Sequence, residues 1–201
     1  MTQAEAARTP RAPNPRGEGE RLRDDLVTAA RELLTAAPDA APFSLRAVAK
    51  AVGVAPSAVY RHFDSIDALI EAVLVDGNAE LREALQLGEG ALDRAALITL
   101  GGRYLRWGVA NPGAYRLLFE SADRLNHPAG PGAPGWDMIE LLARGLASHG
   151  VPAPEVLAIR LWTALHGITS LRVHKGDEPW PTTAEHEIEV LVDALLATAA
   201  R

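Results

Sequence analysis

The chain is 201 residues long, 48% apolar, and carries 26 Asp and Glu against 20 Lys and Arg, a net charge of −6. The absence of cysteine excludes disulfides, thiolate nucleophiles and cysteine metal sites. No run of ~18 uninterrupted apolar residues is present, which excludes a membrane-spanning helix. The length suits one large domain, or a small one with a medium one, around a sizeable core. Frequent alanine, Gly and Pro at breaks, and no sustained β-branched alternation predict an all-α fold.

Residues 1–19 are rich in Pro, Ala, Arg and Gly without periodicity, which predicts a disordered basic tail. Arg8, Arg11 and Arg16 are not followed by an apolar run, so the tail is not a signal peptide and a cytoplasmic protein is expected. A first helix is predicted from Arg21 to Ala37, with Leu22, Leu26, Ala29, Ala30, Leu33 and Leu34 as its apolar stripe. Pro38, Asp39 and Pro42 then break the chain.

Ser44 to Phe63 predicts two short helices and a sharp turn. Leu45, Val48, Ala49 and Val52 recur at helical spacing after Ser44, an N-cap residue. Gly53 can take the left-handed backbone that closes a helix. Pro56 sits early enough in the next helix to break no internal hydrogen bond. Val59 and Phe63 are the inward side, which leaves Ser57, Ala58, Tyr60, Arg61 and His62 outward. This is the pattern of a helix-turn-helix whose second helix enters a major groove. Residues 1–64 hold nine Lys and Arg against eight Asp and Glu, whereas residues 65–201 hold eleven against eighteen. The acidity therefore belongs to the second part, and the DNA reader is nearly neutral with locally placed cations.

Tyr60-Arg61-His62-Phe63, the following Asp64-Ser65-Ile66-Asp67-Ala68-Leu69-Ile70, and Val48-Ala49 with Gly53-Val54 resemble the tetracycline-repressor (TetR-type) family of transcriptional regulators. The resemblance spans about residues 21–75. It implies an N-terminal three-helix DNA-binding domain over residues 20–66 and a ligand-binding and dimerisation domain over residues 67–201. Carried over by position, Ser44 would bond a phosphate and Arg46 would reach a base edge, an arginine there suiting guanine. Tyr60 and His62 match phosphate-contacting positions. Pro56, Ser57 and Ala58 fall at the groove side, where the Ala58 methyl would meet a thymine methyl, and Arg61 would serve phosphate or base. Ile66 stands where the family usually has lysine, which removes one expected backbone contact.

A fourth helix is expected from Ser65 to about Leu87, ended by Gly88 and Gly90 and joining the two parts. Its buried face would hold Leu69, Ile70, Val73 and Leu74. Further helices are expected over Ala91–Ala110 (stopped by Asn111-Pro112-Gly113), Ala114–Phe119, Trp136–Ser148, and from Pro152 to near His174. A last one would follow a capping box at Thr182–Glu185. Together they predict a C-terminal helical bundle of about five helices.

Gly130 to Gly135 matches G-x-G-x-x-G literally, but no strand precedes it and two prolines remove donors, so it reads as a loop. The six histidines show no metal-ligand spacing, and no nucleophile elbow or P-loop is present. No cofactor, metal or enzymatic activity is therefore expected. A competing expectation is a small-molecule-binding or enzymatic bundle with an incidental helix-turn-helix.

Trp162, His166 and Gly167, with Tyr104, Trp107 and the Asn111-Pro112, Tyr115-Arg116 and Phe119 segment, resemble the C-terminal domain of a TetR-type subgroup with a Trp-His-Gly signature. Tyr104, Trp107, Phe119, Trp162 and His166 are the candidate pocket for a small apolar or aromatic effector, with His166 as its orienting polar group; the alternative is that Trp162 packs in the core and His166 hydrogen-bonds internally or across a dimer seam. Dimerisation is expected because one helix-turn-helix contacts few base pairs and two-fold symmetry matches a palindromic operator. Leu161, Leu165, Leu191, Val192, Leu195 and Leu196 exceed what one helix layer would bury, so they are the expected dimer surface. Together the resemblances imply a ligand-responsive homodimeric repressor of double-stranded operator DNA.

Overall fold

The computed structural model describes residues 18–36, 43–86, 92–120, 136–148 and 150–199. Residues 1–17, Gly88 and Gly90, the Gly130–Gly135 loop, His127 and His149 fall outside them. The described residues form nine helices. They are α1 (Glu18–Ala36), α2 (Leu45–Val52), α3 (Pro56–Val59), α4 (Ile66–Leu85), α5 (Arg94–Ala110), α6 (Pro112–Glu120), α7 (Trp136–Ser148), α8 (Pro154–His174) and α9 (Ala184–Ala199). No strand occurs among the described residues, so the fold is all-α, with an N-terminal helix-turn-helix unit and a C-terminal helical domain.

Helix ends follow local chemistry, with several shifts from expectation. Helix α1 starts at Glu18, inside the segment expected to be tail; acidic Glu20 in its first turn suits the positive helix end. The Ala68 N–H donates to Ser65 Oγ at 3.1 Å, so Ser65, expected as the first helical residue, caps α4 instead. That helix ends at Gln86, with φ of 50°, before the glycines expected to end it. The Gln86 N–H bonds the Arg82 and Glu83 carbonyls, both at 3.1 Å, and Arg103 Nη1 donates to the Leu85 carbonyl at 3.0 Å. Gln86 thus takes the left-handed cap position itself, and Arg103 of α5 adds a partner for one further terminal carbonyl.

Helix α5 begins at Arg94, because Asp93 accepts the Ala96 N–H at 2.8 Å and fixes the start there. Pro112 opens α6 rather than merely stopping α5, since its missing N–H costs nothing at a first helical position. Helix α8 starts at Pro154 for the same reason, two residues past the expected Pro152. Thr183, not Thr182, caps α9: its Oγ1 accepts the His186 N–H at 3.2 Å, while Thr182 donates to Glu187.

Two apolar cores meet on α4. The N-terminal core joins Leu26, Val27 and Ala30 of α1, Leu45, Val48 and Ala49 of α2, Val59, Phe63, and Leu69 to Leu74 of α4. Its last buried member is Leu117 of α6. The C-terminal core takes Leu81 and Leu85 from the same α4, then residues of α5, Tyr115, α7, α8 and α9. Between them, Gly77 of α4 faces Leu118 of α6, where an added Cβ would lie 3.2 Å from Leu118 Cδ2.

Leu161, Leu165 and Val192, expected at a dimer surface, are instead buried in the chain's own core. The reason is the α5 layer, which packs against both α8 and α9 and covers their inner faces. The large apolar side chains left exposed on these two helices are Val156, Ile159, Leu171 and Val190. Ion pairs bind neighbouring helices at the surface: Arg31 of α1 to Glu80 and Asp76 of α4, Arg82 to Asp137, and Arg94 bidentate to Asp193 at 2.5 and 2.9 Å. Hydrogen bonding from Arg94 holds the Asp193 carboxyl below its ordinary range. These pairs are exposed, so they orient helices more than they stabilise them.

Helix α5 packs tightly at Gly108, where an added Cβ would stand 2.5 Å from Thr169 Cγ2 and 3.1 Å from the Tyr115 ring. Gly108→Ala is expected to destabilise by about 1–3 kcal/mol through overpacking. At Gly102 an added Cβ meets only the flexible end of Arg106, at 3.2 Å. Gly102→Ala should therefore be neutral, or stabilising by up to ~1 kcal/mol from helix propensity. Urea unfolding of both variants checks the contrast; equal effects would show that the α5–α8 contact is not tight.

Candidate nucleic-acid interface

The turn between α2 and α3 is built from two backbone hydrogen bonds. The Val54 N–H bonds the Ala49 carbonyl at 2.9 Å and the Gly53 N–H bonds the Lys50 carbonyl at 3.2 Å. With φ of 74° at Gly53, this is the paired-bond cap that only a residue free of a Cβ clash makes cheaply. Val54 then tucks against the N-terminal core. At the other end of α2, Ser44 Oγ accepts the Ala47 N–H at 3.2 Å, which leaves its hydroxyl proton free to donate outward.

Helix α3 is one turn long, opens on Pro56 and continues as tight turns to Phe63. The His62 N–H bonds the Val59 carbonyl at 2.9 Å and the Phe63 N–H bonds the same carbonyl at 3.0 Å. Val59 and Phe63 are buried. Pro56, Ser57 and Arg61 are exposed, His62 is half-buried, and Tyr60 is 55% exposed. Ala58 does not join them: it is 8% exposed. It lies about 100° around the helix from Val59, on the flank, and a methyl there does not reach past the surrounding backbone.

Arg46 is exposed on α2, and Lys50, four residues on, shares its face. Lys50 was not among the sequence-derived site residues; its spacing from Arg46 is the signal that would have found it. Arg46, Lys50 and Arg61 form no ion pair among the described residues, so each is available to a phosphate or base. Arg23 is held differently, with its guanidinium carbon 5.3 Å from the Phe63 ring centroid. Ile66, where the family usually has lysine, packs half-buried against the N-terminal core.

In the C-terminal domain four of the five expected pocket residues converge. The rings of Tyr104, Phe119, Trp162 and His166 lie with centroids 4.6 to 6.2 Å apart. The Tyr104 hydroxyl and His166 Nδ1 are 2.7 Å apart. Tyr115 completes the cluster: its ring stacks on His166 at 5.3 Å and its hydroxyl donates to the His166 carbonyl at 3.1 Å. Its spacing of four from Phe119 on α6 is the signal for it. Trp107 is buried in the same core but makes no ring contact with this group, because three residues turn it about 60° away from Tyr104. Trp162, His166 and Phe119 keep part of their surface open. No cluster of three metal-ligating side chains occurs among the described residues.

Residues 26–73 match the family described as bacterial regulatory proteins, tetR family, and residues 97–195 match the tetracyclin repressor-like C-terminal domain. A transcriptional regulator from Rhodococcus sp. Rha1 has the same fold, with a TM-score of 0.67 at 21% identity over 89% of this chain and 98% of that one. A tetR-family transcriptional regulator from Streptomyces coelicolor superposes with a TM-score of 0.64 at 21% identity, over 89% of this chain and 84% of that one. A TetR family regulator from Marinobacter aquaeolei VT8 gives 0.63 at 18% identity, over 90% and 97%.

Gly53→Ala is expected to lower stability by about 1–2 kcal/mol, the cost of a left-handed backbone at a residue with a Cβ. Chemical denaturation measures it. An unchanged midpoint would mean that the turn relaxes to a right-handed geometry and that the angle between α2 and α3 is not set by this cap.

Proposed function

The chain belongs to the tetracycline-repressor family of DNA-binding transcriptional regulators, and we propose that it is a ligand-responsive repressor acting as a homodimer on a palindromic operator. The observation that carries this reading is the cluster of unpaired cations and Tyr60 on the helix pair fixed by Gly53. Arg46 reads a guanine edge, while Ser44, Tyr60 and His62 hold phosphates, with Arg61 and Lys50 alongside. Pro56 and Ser57 face the groove. Operator DNA places the working protein in the cytoplasm.

Two copies meet along α8 and α9. Val156, Ile159, Gly167 and Leu171 form one exposed stripe on α8, and Val190 stands exposed on α9. Gly167 has open space where a side chain would be, which supports close approach of a partner helix. An apolar or aromatic effector sits at Tyr104, Tyr115, Phe119, Trp162 and His166, where it shifts the spacing of the two recognition helices through α4. It releases DNA only to the extent that it binds the non-operator spacing more tightly. The competing reading, a bundle with an incidental helix-turn-helix, is disfavoured because both parts of the chain match parts of one regulator family.

In a mobility-shift titration against the chain's own upstream DNA, Arg46→Ala and Tyr60→Ala should each weaken binding about tenfold or more. Unchanged affinity in both would remove the helix pair from the interface. By sedimentation, Leu171→Asp should convert a dimer to a monomer and lower operator affinity with it. A dimer that persists in Leu171→Asp places the seam on another face.

A further inference from the structure

A cleft lies where the ends of α5 and α8 meet the start of α9, away from the aromatic cluster. Its volume is about 520 Å³, within the range of small-molecule sites. Leu105, Val109 and Ala110 form an apolar wall, and Arg106, Arg172 and Trp180 stand around it.

Three of the described arginines stand in ion pairs, and the cleft's two arginines, like Arg46 and Arg61, do not. Arg31, Arg82 and Arg94 each pair with a carboxylate, in a chain with six more acidic than basic residues. Arg106 and Arg172 form no ion pair among the described residues, although Glu185 lines the same cleft. Arg172 is held in place: its guanidinium carbon is 4.3 Å over the Trp180 ring, and Nη2 donates to the Thr182 carbonyl at 3.0 Å. The ring is fixed in turn by its N–H donating to the Lys175 carbonyl at 2.9 Å. Most of the Arg172 fork remains without a protein acceptor. Arg106 folds back over Gly102 and stays exposed.

We propose that this cleft binds a small amphipathic monocarboxylate, distinct from the effector at the aromatic cluster. Two guanidinium groups and one carboxylate leave a local charge of about +1, which suits a single negative charge better than a phosphate dianion. The ligand carboxylate takes the open donors of Arg106 and Arg172. Its apolar body lies on Leu105 and Val109, so that head and tail are recognised by different chemistry.

Calorimetric titration of the full chain with 4-phenylbutyrate, and with its neutral amide, tests the assignment. The acid should bind saturably, with the amide about tenfold weaker or worse. Arg106→Met should weaken the acid by about the same factor while leaving the circular dichroism spectrum unchanged, and Arg172→Lys should weaken it as well. Trp162→Leu should leave acid binding intact. The proposal fails if acid and amide bind alike, if no saturable binding occurs up to the millimolar range, or if Trp162→Leu abolishes binding that Arg106→Met spares. That last outcome would move the acid to the aromatic cluster.

Discussion

The crossing of α6 over α4 at Gly77 and Leu118 ties the two apolar cores together. Gly77 lies between Leu74, the last α4 residue in the N-terminal core, and Leu81, the first in the C-terminal core. Leu117 and Tyr115, two residues apart on α6, go to different cores. One helix pair therefore carries both hydrophobic units, and neither can tilt without repacking the other. Close-packed interiors deform between discrete arrangements rather than continuously. The Arg31 pairs with Asp76 and Glu80 pin α1 to the same stretch of α4.

The DNA-facing surface gains its geometry from little material. A one-turn α3 has almost no stability of its own, since a short helix does not repay its nucleation. It is held by the Gly53 cap and by Val59 and Phe63 in the core. Arg46, Lys50 and Arg61 stand on this pair in an N-terminal part that is almost neutral overall, and Ile66 packs half-buried against its core.

In the C-terminal domain, polar chemistry is concentrated where aromatic rings cluster. Burying the Tyr104 and Tyr115 hydroxyls would be costly without partners, and both bond to His166, one through its ring and one through its carbonyl. His166 is thereby fixed from two sides on α8 while part of it remains accessible. The cluster joins α5, α6 and α8, so anything inserted among its rings acts on the same α6 that crosses α4.

Features set by local chemistry can be read along the chain before it folds. Ser44 and Gly53 were legible as caps because capping bonds span three to five residues and need no tertiary partner. The helix-turn-helix and the span of α7 were legible for the same reason, as apolar periodicity written within one segment. The tertiary structure decided burial, which depends on residues distant in the chain. Leu161 and Leu165 read as surplus apolar surface until α5 covered them, and Ala58 read as outward until the flank of a one-turn helix enclosed it. Trp107 and Tyr115 exchanged roles because three or four residues along a helix change which neighbour a ring meets. The last carbonyl of α4 finds its partner in Arg103, eighteen residues beyond Leu85. The cleft between α5, α8 and α9 has no sequence signature, because its walls come from segments that only packing brings together.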